Sequence, residues 1–488
     1  MNTLASVGDQ SLVSPGPASD QVASESPGNR SFDFRRVKGK RILVVGLGRT
    51  GLAAARFLSQ TGAHVTVSDS RPPADFQAQI QELVPAKVAL ELGRHSEDTF
   101  IRHDLIVVSP GVDVELPILR GARERGIPLI SEIEIASWFL PGRCIGVTGS
   151  NGKTTTVTLL GKVFEDSEFA VRVGGNIGAP LISQLEGSSE RTVSVVELSS
   201  FQLQAIESFR PAVAVLLNLT PDHLDRHGSF EQYVAAKANI FRNQGPEDIA
   251  VLNADDPEVM KLASSLRSRV VLFSGKRELL EGVFVQGGNL VYRMGNLERT
   301  LLQVGDVRLR GLHNLENVLA AAATACILGV DFNSLRGTVS RFTGVEHRLE
   351  FVREVRGVSF FNDSKATNVN AAGRSVEALG GGVHVILGGQ AKGSSFLPLS
   401  RAFEKKVKAV YLIGSAADRI ASEISGSWET VRCHELKKAV QEAFQRAKPK
   451  ETVLLAPACT SFDQFRNFEH RGKVFKDAVN ELAGKAES

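Results

Sequence analysis

The segment from Cys144 to Gly161, CIGVTGSNGKTTTVTLLG, constrains the fold of this chain more than any other. Its apolar start predicts a short buried strand, and its threonine- and leucine-containing end predicts the first turns of a helix. Between them, Gly149 and Gly152 free the backbone to direct its N–H groups at an anion, and a lysine and a threonine follow directly. A strand, a glycine turn, a Lys-Thr pair and a helix in this order predict a nucleotide-phosphate site in an α/β sheet.

The spacing within this turn differs from the standard P-loop pattern, G-x-x-x-x-G-K-[ST]. Val147 occupies the position of the first glycine, and Gly146 comes one residue early. An ordinary strand-to-helix turn with a chance G-K-T is the alternative explanation. We favour phosphate binding, because Lys153 would supply a mobile positive charge and Thr154 a hydroxyl ligand for Mg²⁺.

A second glycine turn, GLGRTG, lies near the beginning of the chain. Gly46, Gly48 and Gly51 match the G-x-G-x-x-G fingerprint, and Asp69 follows about 20 residues later. The flanking elements are predicted as a strand over Arg41–Val45, a helix over Thr50–Gln60 and a strand over His64–Ser68. Taken alone, this βαβ unit is typical of dinucleotide binding, so an NAD-dependent dehydrogenase is an open alternative at this point.

Strands and helices alternate again from Cys144, and a third group of apolar strands begins near Val345. Four strands of that group are each followed by small or polar residues, as in FFNDSKATN and VILGGQAKG, and ligands of open α/β sheets bind at such strand ends. We therefore predict three tandem α/β domains, Rossmann-like at the N-terminus, P-loop ATPase-type in the centre and Rossmann-like at the C-terminus. The predicted boundaries are a disordered tail over 1–37 and domains over 38–130, 131–344 and 345–488.

The composition argues against several other classes of protein. The 57 basic and 54 acidic residues give a net charge of only +3, so we expect neither a nucleic-acid partner nor a membrane partner. The four cysteines show no C-x-x-C pairing, as expected in a reducing cytoplasm without a zinc motif or a disulfide framework. Roughly the first 35 residues are rich in Ser, Pro, Gly and Asp and lack the apolar core of a signal peptide. We expect a cytoplasmic monomer.

Several polar residues directly follow predicted strands of the central region. Glu197 is a hard oxygen donor suited to Mg²⁺, with Thr154 as its partner, and a helix-capping role is the alternative. His223, in PDHLDRHG, shares a strand end with acidic residues, which favours a functional role. Lys237, in QYVAAKANIF, has on pattern alone the position of an exposed helix lysine. The tetrapeptide DRHG also fits the D-x-x-G of nucleotide switches, so a regulatory nucleotide-binding module is a second alternative, although no N-K-x-D accompanies it.

Charged and hydroxyl residues also follow the strands of the C-terminal region. Arg348, in EHRLE, is positioned to clamp a phosphate, with a surface ion pair as the alternative. The motif NDSKATN brings Asp363 and Lys365 to one strand end, and Lys392 and Ser461 follow later strands. Together these residues predict a pocket for a small substrate with several carboxylates.

These motifs resemble those of the Mur ligase family, the ATP-dependent amide-forming enzymes of peptidoglycan precursor synthesis. The resemblance covers nearly all of the chain after the tail, and T-G-S-N-G-K-T at Thr148–Thr154 is the family's own form of the phosphate loop. Within the family, EHR at Glu346–Arg348, NDSKATN at Asn362–Asn368 and PACTSFDQFRNFEHRG at Pro457–Gly472 resemble the members that add D-glutamate.

The resemblance implies a specific reaction. The carboxylate at the L-alanyl end of UDP-N-acetylmuramoyl-L-alanine would attack the γ-phosphate of ATP, and the amine of D-glutamate would displace phosphate from the resulting acyl phosphate. Two Mg²⁺ ions would assist. The glycine fingerprint near the N-terminus would then hold the UDP part of the sugar nucleotide rather than NAD.

The resemblance also assigns individual residues. The UDP-sugar site would comprise Gly48, Arg49, Thr50, Asp69, Ser70, Arg71, Ser109, Pro110 and Gly111. The ATP site would comprise Gly149, Ser150, Asn151, Gly152, Lys153, Thr154, Thr155, Asn314, Asn317, Arg348 and Asp363. The D-glutamate site would comprise Lys365, Thr367, Lys392, Ser461, Phe462 and Phe468. The catalytic residues would be Lys153, Asn176, Glu197, His223 and Lys237. The metal ligands would be Thr154, Glu197, His223 and Lys237, the last as a carbamate formed from CO₂.

Two positions depart from the family's usual pattern. Arg49 stands where leucine is common, which would either add a phosphate contact or direct the side chain to solvent. Phe462 stands where a smaller apolar residue is common and would narrow the amino-acid pocket.

Overall fold

The computed structural model describes residues 37–309, 311–391 and 395–487. The segment predicted as a disordered tail therefore lies outside the described residues, apart from Val37. Along the described chain three β-sheets follow one another, each accompanied by helices. The predicted fold class, an α/β protein with three tandem domains, is confirmed.

The first sheet is parallel and has the strand order β3-β2-β1-β4-β5. Its strands are β1 (Arg41–Val45), β2 (His64–Asp69), β3 (Ala89–Leu92), β4 (Leu105–Val108) and β5 (Leu129–Ser131). Its helices are α1 (Arg49–Gln60), α2 (Gln77–Leu83), α3 (Glu97–Ile101), α4 (Pro117–Glu124) and α5 (Glu132–Ser137). The predicted βαβ unit is thus present, and its elements differ from the prediction by at most one residue at each end.

Glycine is required at two positions of the turn between β1 and α1. Gly46 has a φ of +93°, a conformation that residues with a side chain rarely adopt. A Cβ at Gly51 would lie 1.8 Å from the carbonyl oxygen of Gly46, so any side chain there would push helix and turn apart. The middle glycine of the fingerprint, Gly48, has open space where its Cβ would be. The fold of the turn therefore does not require a glycine at this position. The missing side chain instead leaves space free outside the turn.

The second sheet has nine strands in the order β14-β13-β12-β11-β10-β9-β6-β8-β7. Its strands are β6 (Arg143–Thr148), β7 (Val171–Gly175), β8 (Val193–Glu197), β9 (Val213–Leu216), β10 (Ile249–Asn253), β11 (Arg269–Ser274), β12 (Gly282–Gln286), β13 (Asn289–Met294) and β14 (Leu297–Gln303). Its helices are α6 (Lys153–Asp166), α7 (Ser200–Gln204), α8 (Leu224–His227), α9 (Phe230–Ala238), α10 (Pro257–Ala263), α11 (Leu312–Ile327) and α12 (Phe332–Arg341). The sheet is parallel from β7 to β12, and β13 and β14 extend it as an antiparallel meander.

The third sheet has the order β15-β16-β20-β17-β18-β19 and is parallel except at β15. Its strands are β15 (Glu350–Val355), β16 (Val358–Asn362), β17 (Val383–Gly388), β18 (Val407–Ile413), β19 (Glu429–His434) and β20 (Thr452–Leu455). Its helices are α13 (Val369–Glu377), α14 (Pro398–Phe403), α15 (Ala417–Glu423), α16 (Leu436–Arg446) and α17 (Phe468–Glu487). All four strands that were predicted to end in polar or small residues are present.

The first two sheets share one apolar cluster, in which Leu58 of α1 belongs to the same core as Phe209 and Ile240. Polar contacts reinforce this junction, because the carboxylate of Glu134 in α5 accepts a hydrogen bond from the backbone N–H of Phe209 at 2.8 Å. The third sheet has apolar clusters of its own. The first two sheets therefore form one packed unit, to which the third is added.

None of the helices in the described ranges combines the length and the apolar character that crossing a membrane requires.

Candidate active site

The phosphate loop connects β6 to α6 in the middle of the second sheet. Gly152 precedes the helix with a φ of +85°, and a Cβ there would lie 2.0 Å from Oδ1 of Asn317. The loop is braced from behind, since Ser150 Oγ lies 2.8 Å from the hydroxyl of Tyr233. The backbone N–H of Asn151 donates to Oδ1 of Asn218 at 2.8 Å. The chain thus builds the loop rigidly around a glycine that neighbouring side chains leave no room to replace.

Two lysines converge on this loop. Nζ of Lys153 donates to the carbonyl oxygens of Gly149 and Ser150 at 2.7 and 2.9 Å. Nζ of Lys237, a residue only 2% exposed, donates to the same Gly149 oxygen at 2.9 Å. The pattern of α9 favoured an exposed lysine at 237, and its burial beside the phosphate loop contradicts that simpler explanation.

The environment of the two lysines weakens their hold on a proton. Burial lowers the pKa of Lys153 to about 8, an effect that the carboxylate of Glu197 opposes. Burial also lowers the pKa of Lys237 well below its usual value, and the positive charge of Lys153 lowers it further. The surroundings of Lys237 therefore favour the neutral form of its amine.

Glu197, the last residue of β8, is buried and accepts hydrogen bonds on both carboxylate oxygens. Thr154 Oγ1 donates to its Oε2 at 2.7 Å, and Asn176 Nδ2 donates to its Oε1 at 2.9 Å. Three predicted site residues are thereby brought into direct contact. A carboxylate beside a threonine hydroxyl at the start of a phosphate-loop helix is a donor set that suits Mg²⁺, which takes its remaining ligands from phosphate and water.

His223 precedes α8 in a left-handed conformation, with a φ of +52°. Its side chain is about half exposed and packs edge-to-face on Phe201, with ring centroids 5.2 Å apart. Asp222 lies beside it, and the negative charge of Asp222 raises the pKa of both Lys153 and Lys237. Among the described residues no cluster of three or more His, Cys, Asp and Glu side chains could hold a metal by itself.

A cavity of about 420 Å³ lies at the first glycine turn. It is lined by the predicted UDP-sugar residues other than Ser70, namely Gly48, Arg49, Thr50, Asp69, Arg71, Ser109, Pro110 and Gly111. Asn176 of the second sheet completes its wall. Asp69 accepts the backbone N–H groups of Leu47 and Arg71 at 2.8 and 3.0 Å, so its carboxylate is engaged by the turn itself.

A larger cavity of about 620 Å³ lies between the phosphate loop and the third sheet. It is lined by the predicted ATP residues Asn151, Gly152, Thr155, Asn314, Asn317, Arg348 and Asp363. The remaining predicted ATP residues, Gly149, Ser150, Lys153 and Thr154, belong to the loop and the helix start beneath it. Burial raises the pKa of Asp363, although a hydrogen bond from Ser375 opposes the shift.

The predicted D-glutamate residues are less concentrated. Lys365 lines the larger cavity, and its carbonyl oxygen accepts the N–H of Thr367 at 2.8 Å. Ser461 is buried after β20, whereas Phe462 is 67% exposed. Phe468 begins α17 and packs edge-to-face on a histidine ring. Lys392 lies outside the described residues.

Arg471 holds the strand ends of the third sheet together, a role that the sequence did not reveal. Its guanidinium is fully buried and donates to the carbonyl oxygens of Ser364, Cys459 and Thr460 at 2.9, 3.1 and 3.2 Å. Burial lowers its pKa to about 10. The loops after β16 and β20, which carry Lys365, Thr367 and Ser461 among the predicted amino-acid residues, are thereby fixed to one side chain.

Two supports of the phosphate loop were also missed. Asn218 lies just beyond the end of β9, where a search for polar residues at strand ends would have found it. Tyr233 gave no such signal, because an aromatic residue in a helix usually belongs to the core.

Three domain models match the chain in sequence order. The model of the Mur ligase MurD-like N-terminal domain matches residues 40–131, that of the Mur ligase middle domain matches 147–325, and that of the Mur ligase glutamate ligase domain matches 347–459. Each of the three sheets thus falls in a different model.

Relatives match over nearly the whole length. UDP-N-acetylmuramoylalanine–D-glutamate ligase of Acidobacterium capsulatum is 50% identical over 452 residues, which cover 92% of this chain and 98% of the relative. The protein of the same name from Koribacter versatilis is 48% identical over 447 residues, with the same coverage. A solved structure of UDP-N-acetylmuramate–alanine ligase from Thermotoga maritima has the same fold, with a TM-score of 0.54 and 19% identity over 91% of this chain and 99% of that one. The chain belongs to the Mur ligase family.

Proposed function

We propose that this protein is an ATP-dependent ligase that joins D-glutamate to UDP-N-acetylmuramoyl-L-alanine in the synthesis of peptidoglycan precursors. Two relatives of this name are 50% and 48% identical to the chain over 92% of its length. The substrates are UDP-N-acetylmuramoyl-L-alanine, D-glutamate and ATP, and the products are the amide, ADP and phosphate.

The observation that carries the proposal is the position of Asn176. This residue lines the smaller cavity and donates a hydrogen bond to Glu197, which in turn accepts one from Thr154 at the phosphate loop. The two cavities are therefore joined by a short polar path. A sugar nucleotide in the first and ATP in the second would meet at this path, as a reaction between a carboxylate and a phosphate requires.

The first half of the reaction brings two anions together. The L-alanyl carboxylate attacks the γ-phosphorus, and the β,γ-bridging oxygen leaves with ADP. Lys153 releases its carbonyl contacts and binds the β- and γ-phosphates instead, so its charge offsets theirs. Asn176 positions the transferred phosphate, and the backbone N–H groups of the loop hold the rest of the polyphosphate.

Magnesium fits this site in part. Thr154 and Glu197 would hold one ion, and His223 together with Lys237 would hold a second if the lysine carries a carbamate. Bound there, Mg²⁺ would withdraw charge from the phosphate oxygens. The buried neutral amine that the environment of Lys237 favours is the form that reacts with CO₂, and a carbamate is an anionic oxygen donor.

In the second half, the amine of D-glutamate attacks the acyl carbon and phosphate leaves. Lys365, Thr367, Lys392, Ser461, Phe462 and Phe468 bind the amino acid in this proposal. Arg348 and Asp363 reach the nucleotide from the third domain, whose closure excludes the water that would hydrolyse the acyl phosphate. The domain limits proposed are 38–130, 131–344 and 345–488, and the protein is proposed to act as a cytoplasmic monomer.

The test is ADP release by the purified full-length chain with ATP, Mg²⁺ and UDP-N-acetylmuramoyl-L-alanine, adding one candidate amino acid at a time. Release is expected with D-glutamate and not with L-lysine or meso-diaminopimelate. Equal turnover with either of these would refute the assignment. Hydride transfer from tightly bound NADH would instead favour a dehydrogenase, and nucleotide-stimulated partner binding without turnover would favour a regulatory module.

A further inference from the structure

Basic side chains outnumber acidic ones in the wall of the larger cavity. Arg348, Lys365 and Arg374 all line it. Within the described part of the chain none of the three forms an ion pair with a carboxylate, although Asp363 and Glu377 line the same cavity. Cations that converge without carboxylate partners indicate a site for a polyanion.

The hydrogen-bonding state of Arg348 points the same way. Its Nη1 is buried and has no hydrogen-bond partner among the described atoms. A buried guanidinium donor without an acceptor is costly, so its presence indicates a group that the ligand supplies.

Arg374 is the most unusual of the three because of what it touches. It lies in α13 of the third domain, yet its Nη1 donates a 2.6 Å hydrogen bond to Oδ1 of Asn151 in the phosphate loop. Its positive charge is felt at Lys153, whose pKa it helps to lower. Arg374 also lines a separate cavity of about 440 Å³ with Asp222 and His223, so it stands between the nucleotide space and the predicted metal side.

We propose that Arg374 is a nucleotide-binding residue that recognises the terminal phosphate of ATP from across the domain boundary. In the ligand-free protein it is held by the amide oxygen of Asn151, and ATP replaces that neutral acceptor with a charged phosphate oxygen. The inference rests on the proposed function for the identity of the nucleotide.

The chemistry favours this exchange. A guanidinium bound to a phosphate oxygen forms a charge-assisted hydrogen bond, roughly twice as strong as its bond to a neutral amide. An arginine supplied from a second domain reaches the phosphate only when that domain is close, so nucleotide binding and closure favour each other. ADP lacks the terminal phosphate and would leave Arg374 on Asn151.

The experiment compares the full-length wild type with Arg374→Ala, Arg374→Lys and the control Arg432→Ala. Arg432 is an exposed arginine of the same domain that pairs with Asp418 at 3.0 Å, so its variant removes an equal charge away from the cavity. Calorimetry measures dissociation constants for ADP and for a non-hydrolysable imido analogue of ATP. Thermal unfolding reports whether each variant is folded.

For Arg374→Ala we expect affinity for the imido analogue to fall about 10-fold and affinity for ADP to change by less than about twofold. Arg374→Lys should recover part of the loss, because it keeps a point charge without the fork of donors. Arg432→Ala should match the wild type. An equal loss of affinity for ADP and for the imido analogue would mean that Arg374 only holds the two domains together, and this would overturn the proposal. Unchanged affinity for the analogue would also overturn it.

These binding measurements need no amino acid or sugar nucleotide. A wild type that releases ADP with another amino acid would therefore refute the proposed function and leave the inference about Arg374 standing. A wild type that binds the imido analogue no better than ADP would refute the inference alone.

Discussion

Lys153 and Lys237 donate hydrogen bonds to one and the same atom, the carbonyl oxygen of Gly149, at 2.7 and 2.9 Å. Their two amines are therefore close neighbours in a buried setting, where two positive charges repel strongly. Burial lowers both pKa values, and the positive charge of Lys153 lowers that of Lys237 further. We therefore expect Lys237 to lose its proton more readily than a solvent-exposed lysine does.

ATP binding should be coupled to proton uptake by Lys153. In the ligand-free protein this lysine has a pKa of about 8, so it loses its charge as the pH rises through that value. Phosphate favours the charged form, and binding at about pH 8.5 should therefore take up a proton and weaken as the pH rises further. Calorimetry in two buffers of different ionisation enthalpy measures the uptake.

The matched variant for that measurement is Lys153→Arg. Its guanidinium keeps a charge at every accessible pH, so the contribution of residue 153 to the uptake should disappear. Uptake of the same size in wild type and Lys153→Arg would show that another group is responsible.

Lys237→Ala should be nearly inactive in ligation, and a small carboxylate such as formate or acetate should restore part of the activity. The vacated space lies beside the loop where the lysine reached the Gly149 oxygen, and a carboxylate there can replace the oxygens of the proposed carbamate. Initial rates at increasing formate concentration measure the rescue. The exposed Lys261, paired with Glu258, supplies the control variant Lys261→Ala, which should keep full activity and ignore formate. Full activity of Lys237→Ala in bicarbonate-free buffer would rule out a required carbamate.

Glu197→Gln should lower kcat by on the order of 100-fold while the fold survives. The carboxylate accepts hydrogen bonds from Thr154 and Asn176 on its two oxygens, and glutamine would present an NH₂ group to one of these donors while removing the charge that suits Mg²⁺. Steady-state kinetics and thermal unfolding separate the two effects. A variant that loses stability but keeps kcat would assign Glu197 a purely structural role.

Glu132→Gln should not lower the Tm, because this carboxyl group is buried outside the candidate site and is costly to ionise there. Burial raises its pKa to about 7, and its Oε2 has no partner among the described atoms, while Oε1 accepts the N–H of Ile182 at 2.7 Å. A folded-state pKa above the unfolded value means that Glu132 costs stability as the pH rises from about 4.5 to about 7. Glutamine removes that loss, so thermal unfolding at about pH 8 should show a Tm no lower than that of the wild type. A large drop in Tm at this pH would contradict the raised pKa of this carboxyl group.

Gly48→Val should raise KM for the sugar nucleotide about 10-fold or more and leave the fold and nucleotide affinity intact. A Cβ at Gly48 meets nothing within 4 Å, yet the residue lines the smaller cavity, so a valine would occupy substrate space. Gly305→Val, another site with open space, is the control and should behave as wild type. Gly51→Val should instead fail to fold, since its Cβ would meet the Gly46 oxygen at 1.8 Å. Unchanged KM in Gly48→Val would place the sugar nucleotide elsewhere.

Strands and turns were predictable where the signal is local. The limits of β1 follow from a continuous apolar run that ends at a glycine. The start of α6 follows from the G-K-T sequence that comes after a second apolar run. The antiparallel strand β15 was not foreseen, because its apolar residues Phe351, Val352 and Val355 do not alternate with polar ones as those of a half-buried strand do. Pairing between distant strands carries no local signature of this kind.

Candidate site residues were predictable when they directly follow a strand, as Glu197 does. Lys237, Arg374 and Arg471 could not be predicted from pattern, because each lies in a helix where a basic residue is normally in contact with solvent. Lys237 was assigned only through the family resemblance, and the other two were missed. Their positions depend on how helices of one sheet meet loops of another, and that is settled by packing of the whole chain.

Arg471 also determines when conformational entropy is lost around the proposed amino-acid site. Loops at strand ends commonly become ordered only as a ligand binds, and that ordering subtracts from affinity. Here the carbonyl groups of Ser364, Cys459 and Thr460 are already fixed by one guanidinium, so the freedom is given up during folding. A free amino acid has few atoms with which to offset such a cost. Because the wall is rigid before the ligand binds, more of the free energy from the amino acid's few contacts contributes to its affinity.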